Sequence, residues 1–281
     1  VKDDAIVLER YASGHGASAS AWTCLVTGTA TTVPVTAAGA VTLGLGQNVT
    51  CSITNDDQPA TVTLHKVLPN DNGGTATGSQ FTLTLTPKVG GTAVINGVDP
   101  EATTTTTTLG AGISNSNVSA GVYIVAESPT NTTGYTSAWT CTGGTLAGNE
   151  LTVLNGATVT CYVVNDDQQG KLTLDKVLIT DNGGTKTSSD WSLSATGDAN
   201  TPAAATSIAA TPDSNPAAGT SIPTANVNAG TYTLAETPAT TAGYTASNWS
   251  CVVTGTTTPV TVTAGKVTVA NGQDVTCTIT N

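Results

Sequence analysis

Methionine is absent from this chain of 281 residues, phenylalanine occurs once, and only eight residues are basic. Against nineteen acidic residues the formal net charge is −11. A nucleic-acid binder needs a basic stripe to neutralise phosphates, and the chain has none to offer. Anionic membrane surfaces are equally poor partners. No apolar run approaches the roughly 18 residues of a membrane span. Sustained helical periodicity with caps is missing as well, which removes the helical fold classes. The two histidines do not suggest hydrolase chemistry: His15 lies in a Gly/Ser-rich turn, His65 alternates away from a leucine face, and no G-x-S-x-G motif is present. An enzyme acting on an external substrate is not expected. No signal-peptide pattern opens the chain, which reads as a mature or trimmed segment.

What remains is rich in Thr, Ala, Gly, Val and Ser, with 38% hydrophobic residues, a mixture suited to strands and turns. It is also repetitive. "GVYIVAESPTNTTGYTSAWTC" (Gly121 to Cys141) matches "GTYTLAETPATTAGYTASNWSC" (Gly230 to Cys251), and "AIVLERYASGHGASASAWTC" (Ala5 to Cys24) is a weaker copy. "TLHKVLPNDNGGT" from Thr63 likewise returns as "TLDKVLITDNGGT" from Thr173. The period is about 110 residues, which predicts complete units at 59–168 and 169–281 and a partial one, matching only the second half of a unit, at 1–58. Alternating runs such as "TVTLHKV", "VYIVAE" and "VTVANGQDVTCTIT", bounded by Gly, Asn and Pro, read as half-buried strands. Units of this length with about seven strands each point to an all-β chain of tandem immunoglobulin-like or prealbumin-like sandwiches. "NGG" at Asn72 and Asn182 suits tight turns with positive φ, and "TTTTTT" at 103–108 and the stretch 199–225 read as variable loops or edge strands.

The six cysteines fall two to a unit, which predicts disulfides Cys24–Cys51, Cys141–Cys161 and Cys251–Cys277. Each would close a loop of some 20–27 residues, worth roughly 3 kcal/mol in the chain-entropy model. Zinc would need four ligands, more than two cysteines per unit and two histidines in all can supply. The disulfides imply an oxidising, secreted, extracellular or cell-surface location. A tryptophan two residues before the first cysteine of each pair (Trp22, Trp139, Trp249) shares its strand face. Packing against the disulfide, rather than a sugar-binding platform, is the expected role.

Lys66 and Lys176 fall on the leucine-bearing face of the first strand of their units, with Val62, Leu64 and Leu68 around one and Leu172, Leu174 and Leu178 around the other. A buried ammonium is costly, and burial lowers its pKa. The partners on offer are one carboxylate per unit, Glu127 or Glu236, and one asparagine at the end of the last strand, Asn165 or Asn281.

In these residues the sequence resembles a known family. "GTYTLAETPATTAGY" (Gly230 to Tyr244), with a lysine in the first strand and an asparagine ending the last, is similar to the B-type repeats of collagen adhesins and the SpaA-like, prealbumin-like modules of bacterial surface proteins and pili. The resemblance implies a spontaneous isopeptide bond between lysine and asparagine, assisted by a buried acid. Carried over by motif position, the triads are Lys66, Glu127, Asn165 and Lys176, Glu236, Asn281. The bland alternative is a buried Lys–Glu pair beside an asparagine, with no bond. The first unit retains Glu9 and Asn55 but has no matching lysine, Lys2 standing out of position.

Asp and Asn gather in "NDNGGT", "TDNGGT" and "NDDQ". Hard oxygen ligands of this kind could hold Ca²⁺, but the spacing does not match an EF-hand loop and turn formation is the expected role, so no cofactor or metal is predicted. The reading as a whole is a structural segment of an extracellular filament, pilus-like fibre or surface stalk that self-associates head to tail. The partial first unit would leave strand edges open and invites completion by another chain or an upstream segment. The rival reading is an adhesin that binds a surface ligand through the loops 88–116 or 197–226. Those loops lack the aromatic and arginine anchors that dominate interfaces.

Overall fold

The computed structural model describes residues 6–7, 17–130, 132–198, 208–210 and 224–281, the short strands at 6–7, 17–19 and 208–210 as backbone only. Strands dominate, and the helical content of the described residues is two short 3₁₀ turns, Gly78–Gln80 and Ser188–Asp190. No helix among them is long and apolar enough to cross a membrane.

The middle of the chain forms two facing sheets. One runs in the order Ile113–Val118, Ala60–Val67, Thr158–Asp167, Tyr135–Thr142, and the other in the order Ile95–Gly97, Thr82–Pro87, Gly121–Ser128, Glu150–Val153, Thr145–Ala147. Their inward residues, among them Val62, Leu64, Leu83, Leu85, Val125, Leu151 and Val163, make one closed core. The C-terminal part repeats the plan. Gly170–Val177 lies between Ala225–Val227 and Asp274–Thr280, and Ser192–Gly197 pairs with Gly230–Thr237 in the facing sheet.

In both sandwiches the opening and closing strands are neighbours and run parallel: Lys66 sits opposite Val163, and Lys176 opposite Ile279. All the other strand pairings among the described residues are antiparallel. The alternation expected of the closing strand is complete, with Val159, Cys161, Val163, Asn165 and Asp167 buried and the residues between them half-buried.

The opening strand departs from simple alternation. His65 and Val67 are buried along with Leu64 and Lys66. The outer face, on which alternation alone would leave His65 in solvent, is covered by the segment after Asp99, whose carboxylate accepts the Lys66 N–H at 2.8 Å. Burial holds the His65 imidazole below its usual range, against the pull of Asp99. The threonine run 103–108 belongs to this cover, since Thr103 exchanges backbone hydrogen bonds with Lys66 and Leu68. Most of 199–225 lies outside the described residues.

The first part of the chain is thinner. Its described core is Cys24, Val33 and Val41, with Val26, Val35, Val49 and Cys51 packed on it. Glu9, Lys2 and His15 lie outside the described residues. Asn55, the counterpart of Asn165, sits in the exposed strand Asn55–Asp57.

Successive units meet through a recurring joint. The Gly156 N–H donates to the Gln58 carbonyl at 2.8 Å, and the Gly272 N–H to the Gln168 carbonyl at 2.8 Å. Around the second joint the Ala229 N–H donates to the Asn72 carbonyl at 2.8 Å and Asn271 Nδ2 to the Gly134 carbonyl at 2.6 Å. Gly73 has φ +92°, and a Cβ there would lie 2.4 Å from the Ala229 carbonyl oxygen. Both the left-handed turn and the close approach of the next unit therefore require glycine.

Candidate cross-linking site

The three predicted disulfides are present, and each joins residues directly opposite one another: Cys24 and Cys51, Cys141 and Cys161, Cys251 and Cys277. No described cysteine is free. In the two full sandwiches the bridge ties the closing strand to its antiparallel neighbour. The tryptophans sit less deeply than expected. Trp139 and Trp249 are half-buried and pack against the edge of their cores, and Trp22 is half-buried too. The fully buried indole is Trp191, at 1% exposure.

Trp191 belongs to the lysine site. In the middle sandwich Lys66 Nζ lies 2.7 Å from Glu127 Oε2, with the two side chains 1% and 3% exposed. The strand pairing explains the meeting. Lys66 points inward from one sheet, and Glu127, whose register partner is Leu83, points inward from the other. Asn165 lies two residues beyond Val163, the partner of Lys66, and so shares its face. Its Nδ2 reaches the same Glu127 oxygen at 3.3 Å, while its Oδ1 is buried without a donor. Ser137 Oγ donates to the other oxygen, Glu127 Oε1, at 2.7 Å. Phe81 closes the site with its ring centroid 4.1 Å from Lys66 Nζ, close enough for cation–π attraction while the amine is charged.

The C-terminal sandwich builds the same arrangement from Lys176, Glu236, Asn281 and Trp191. The ammonium is 2.6 Å from Glu236 Oε1, Asn281 Nδ2 donates to Glu236 Oε2 at 3.2 Å, and Trp191 lies 4.8 Å from Lys176 Nζ. Tyr244 packs edge-on against Trp191 at 5.4 Å. Asn281 Oδ1, like that of Asn165, is buried and unpartnered. Asn165 lies inside its strand rather than at the end, which runs on to Asp167, whereas Asn281 follows the strand that ends at Thr280.

Burial lowers the pKa of both lysines, against the pull of their glutamates: Lys66 falls to about 8, and Lys176 moves in the same direction. Each site therefore holds an amine whose charge burial disfavours, a glutamate within 2.7 Å of it, and an amide whose oxygen lacks a donor. The aromatic lids Phe81 and Trp191 are not among the residues that the sequence singles out. A signal for them exists, because "QFTLTLT" and "DWSLSAT" place an aromatic two residues before Leu83 and Leu193, the register partners of the two glutamates.

Tandem disulfide-tied sandwiches, each closing an aromatic lid over a buried Lys–Glu–Asn group, define a class of repeat module. Family models for a prealbumin-like fold domain of the SpaA type match residues 57–163 and 167–279, and a second such model matches 6–57. The chain belongs to this SpaA-type prealbumin-like family. Among solved structures it is similar to the Bacillus anthracis TIE protein, at 14% identity over 86% of this chain and 38% of that one, with a TM-score of 0.40. It is also similar to the open pilus adhesin SpaC of Lactobacillus rhamnosus GG, at 14% identity over 100% of this chain and 44% of that one, TM-score 0.32. A third is the T-13 major pilin of Streptococcus pyogenes, at 11% identity over 80% of this chain and 96% of that one, TM-score 0.33. The chain spans less than half the length of the first two. No curated protein matches it.

Proposed function

We propose that the chain is a load-bearing segment of an extracellular fibre or surface stalk, and that its two full units, at 59–168 and 169–281, each staple themselves with a Lys–Asn isopeptide bond. The observation that carries this reading is the parallel pairing of opening and closing strands with lysine and asparagine on one face, made twice over the same buried glutamate. In a string of such units, tension enters at the start of the opening strand and leaves at the end of the closing one. Adjacent parallel strands pulled from opposite ends are loaded in shear. A covalent bond from Lys66 to Asn165 carries that load directly and bypasses the residues between them.

The chemistry needs no outside reagent. Lys66 Nζ passes a proton to Glu127, leaving a neutral amine and a carboxylic acid. The acid, now a donor, polarises the Asn165 carbonyl once the amide turns its oxygen toward it, and so satisfies the oxygen that lacks a donor. Nζ attacks Asn165 Cγ, the Cγ–Nδ2 bond breaks, and the nitrogen leaves as ammonia with the proton supplied through the glutamic acid. Lys176, Glu236 and Asn281 follow the same course. Only the protein's own groups react, so the glutamates assist a single self-modification and turn over no substrate.

The covering role of 99–112 supports the fibre reading over an adhesin. Asp99 is committed to Lys66 N–H, and Glu101 to Ala111 N–H at 2.9 Å. This loop closes its own sandwich, with no aromatic or arginine to offer a partner. Intact mass measurement tests the bonds: the chain should be lighter by one ammonia per unit, and trypsin should yield branched peptides joining Lys66 to Asn165 and Lys176 to Asn281. An unmodified mass would leave buried ion pairs and no staple. Electron micrographs of the purified material test the assembly, regular fibres supporting it and dispersed monomers counting against it.

A further inference from the structure

The joint between the second and third units gathers three carboxylates for which the fold supplies no cation among the described residues. Asp71 lies in the loop after the opening strand, Asp166 and Asp167 end the closing strand, and one oxygen from each lies within 4.8 Å of the others. Like charges at this spacing repel, more strongly as water is excluded. The six lysines among the described residues are engaged elsewhere: Lys66 with Glu127, Lys88 with Glu150, Lys171 with Asp274, Lys176 with Glu236, Lys186 with Asp190 and Lys266 with Asp198.

Turn formation, the role expected for these residues, accounts for half of Asp167. Its Oδ2 accepts the N–H groups of Asn72 at 2.9 Å and Gly74 at 2.6 Å, pinning the Asn-Asp-Asn-Gly-Gly loop. The other oxygen of the same carboxylate, Oδ1, is buried and has no donor, in a residue with 0% exposure. A buried anionic oxygen without a partner is costly. Asp71 and Asp166 crowd the same side chain, and a cation is the partner that would answer both the open oxygen and the repulsion.

We propose that Asp71, Asp166 and Asp167 bind a Ca²⁺ ion at this joint. Calcium accepts six to eight oxygens in flexible geometry, mixing carboxylates with carbonyls and water, whereas Mg²⁺ demands a near-ideal octahedron. A site that is half-open, irregular and composed only of oxygen suits the former. Its position gives it a consequence. The Asp71 carbonyl accepts Asn228 Nδ2 at 3.4 Å, and the Gln168 carbonyl, next to Asp167, accepts the Gly272 N–H at 2.8 Å. The ion would clamp together the two segments of the second unit that carry the third, stiffening the joint.

The test uses the full chain, stripped with a chelator. Ca²⁺ is titrated by calorimetry, with Tb³⁺ luminescence as a second probe. Tyr135, the register partner of Asp167, is placed to sensitise the lanthanide. One site should saturate at about 0.1–1 mM Ca²⁺, the range of extracellular modules, with Mg²⁺ at least about tenfold weaker. The double variant Asp71→Asn/Asp166→Asn, which spares the Asp167 turn contacts, should lose the site while keeping the circular dichroism spectrum of the parent. Asp181→Asn, the counterpart of Asp71 in the third unit, should bind as the parent does. No heat or luminescence at millimolar Ca²⁺ would overturn the proposal, as would binding that survives in the double variant. A cluster whose stability responds to pH but not to Ca²⁺ would overturn it too, because a proton rather than a metal would then relieve the repulsion.

Discussion

The lysine sites of the second and third units hold the same four groups in the same register but treat the glutamate differently. Glu127 receives Lys66, Asn165 and, on its second oxygen, the Ser137 hydroxyl. Glu236 Oε1 lies 2.6 Å from Lys176 Nζ as an ion pair and Glu236 Oε2 accepts Asn281 Nδ2, and Ser247, the nearby serine of the third unit, turns its hydroxyl to the Asn248 carbonyl instead. A donor to a carboxylate stabilises its charged form. The second site therefore holds its glutamate with a hydroxyl contact that the third lacks.

The first unit extends the comparison. It keeps the disulfide but shows no lysine site among its described residues, and the core these form is a few valines around Cys24 and Cys51. The largest expected effect follows. Reduction should unfold the first unit altogether, since the loss of roughly 3 kcal/mol exceeds what so small a core can offset. The second and third units should stay folded. Limited proteolysis with and without reductant reads this out. Equal loss of all three units would mean that the large cores of the other two count for less than their burial suggests.

Next in size is removal of a lysine. Lys66→Ala should restore one unreacted unit to the intact mass; made in an Asn165→Ala background, where no bond can form and Lys66 stays paired with Glu127, it should destabilise the second unit by about 3–5 kcal/mol by leaving Glu127 buried without its counter-charge. Lys88→Ala, which breaks an exposed pair with Glu150, should cost less than about 1 kcal/mol. Urea unfolding of the two variants side by side checks the contrast. A mild Lys66→Ala would show that the pair's desolvation cost cancels its attraction.

Much of this was legible in the residues. The repeat placed the disulfides, and the alternation of Val62, Leu64 and Lys66 placed a lysine in the core, because a two-residue period leaves a strand no other choice. Two kinds of feature were not legible. The burial of His65 and Val67 depends on a loop, 99–112, that folds back over the outer face of the opening strand, and local alternation carries no record of a distant cover. The half-exposure of Trp139 and Trp249 has a similar cause: Trp139 lies on an edge strand and Trp249 just before Ser250–Val253, a strand next to an edge, where a large ring can cover the core without entering it. The acidic joint was visible only as two separate motifs. Asp71 and Asp167 are 96 positions apart in the numbering, and the parallel pairing of first and last strands is what brings them together.

A smaller effect tests the Ser137 contrast directly. Ser137→Ala removes the hydrogen bond to Glu127 Oε1. A hydrogen bond to a charged group contributes about 1.5–3 kcal/mol, so its loss should weaken the resting Lys66–Glu127 pair, and the bond proposed for the second unit should form roughly tenfold faster. Mass spectrometry of freshly refolded chain, sampled over time, compares the two units within one molecule. The third unit serves as the internal clock, since its site lacks the serine contact. A slower second unit would mean that Ser137 matters for orientation rather than for charge.

The smallest and most specific effect is a pH dependence that exists only when the bond cannot form. In Asn165→Ala, Lys66 stays a free amine with a folded-state pKa of about 8, against an ordinary 10.5. Below about pH 8 the amine is protonated in both folded and unfolded chains, and the cost of burying its charge is fully present. Between about pH 8 and 10.5 the unfolded chain holds the proton and the folded chain does not. Unfolding then takes up a proton, and stability rises with pH. Above that window the gain levels off. With the proposed bond formed, Lys66 of the parent chain is an amide nitrogen and does not titrate, so subtracting the parent's urea midpoints cancels every other group, including the tyrosines. The difference curve for the second unit should climb from about pH 8 toward 10. If it stays flat, Glu127 keeps the lysine charged throughout, and the neutral amine that the staple needs is too rare at physiological pH for the reaction to proceed by this route.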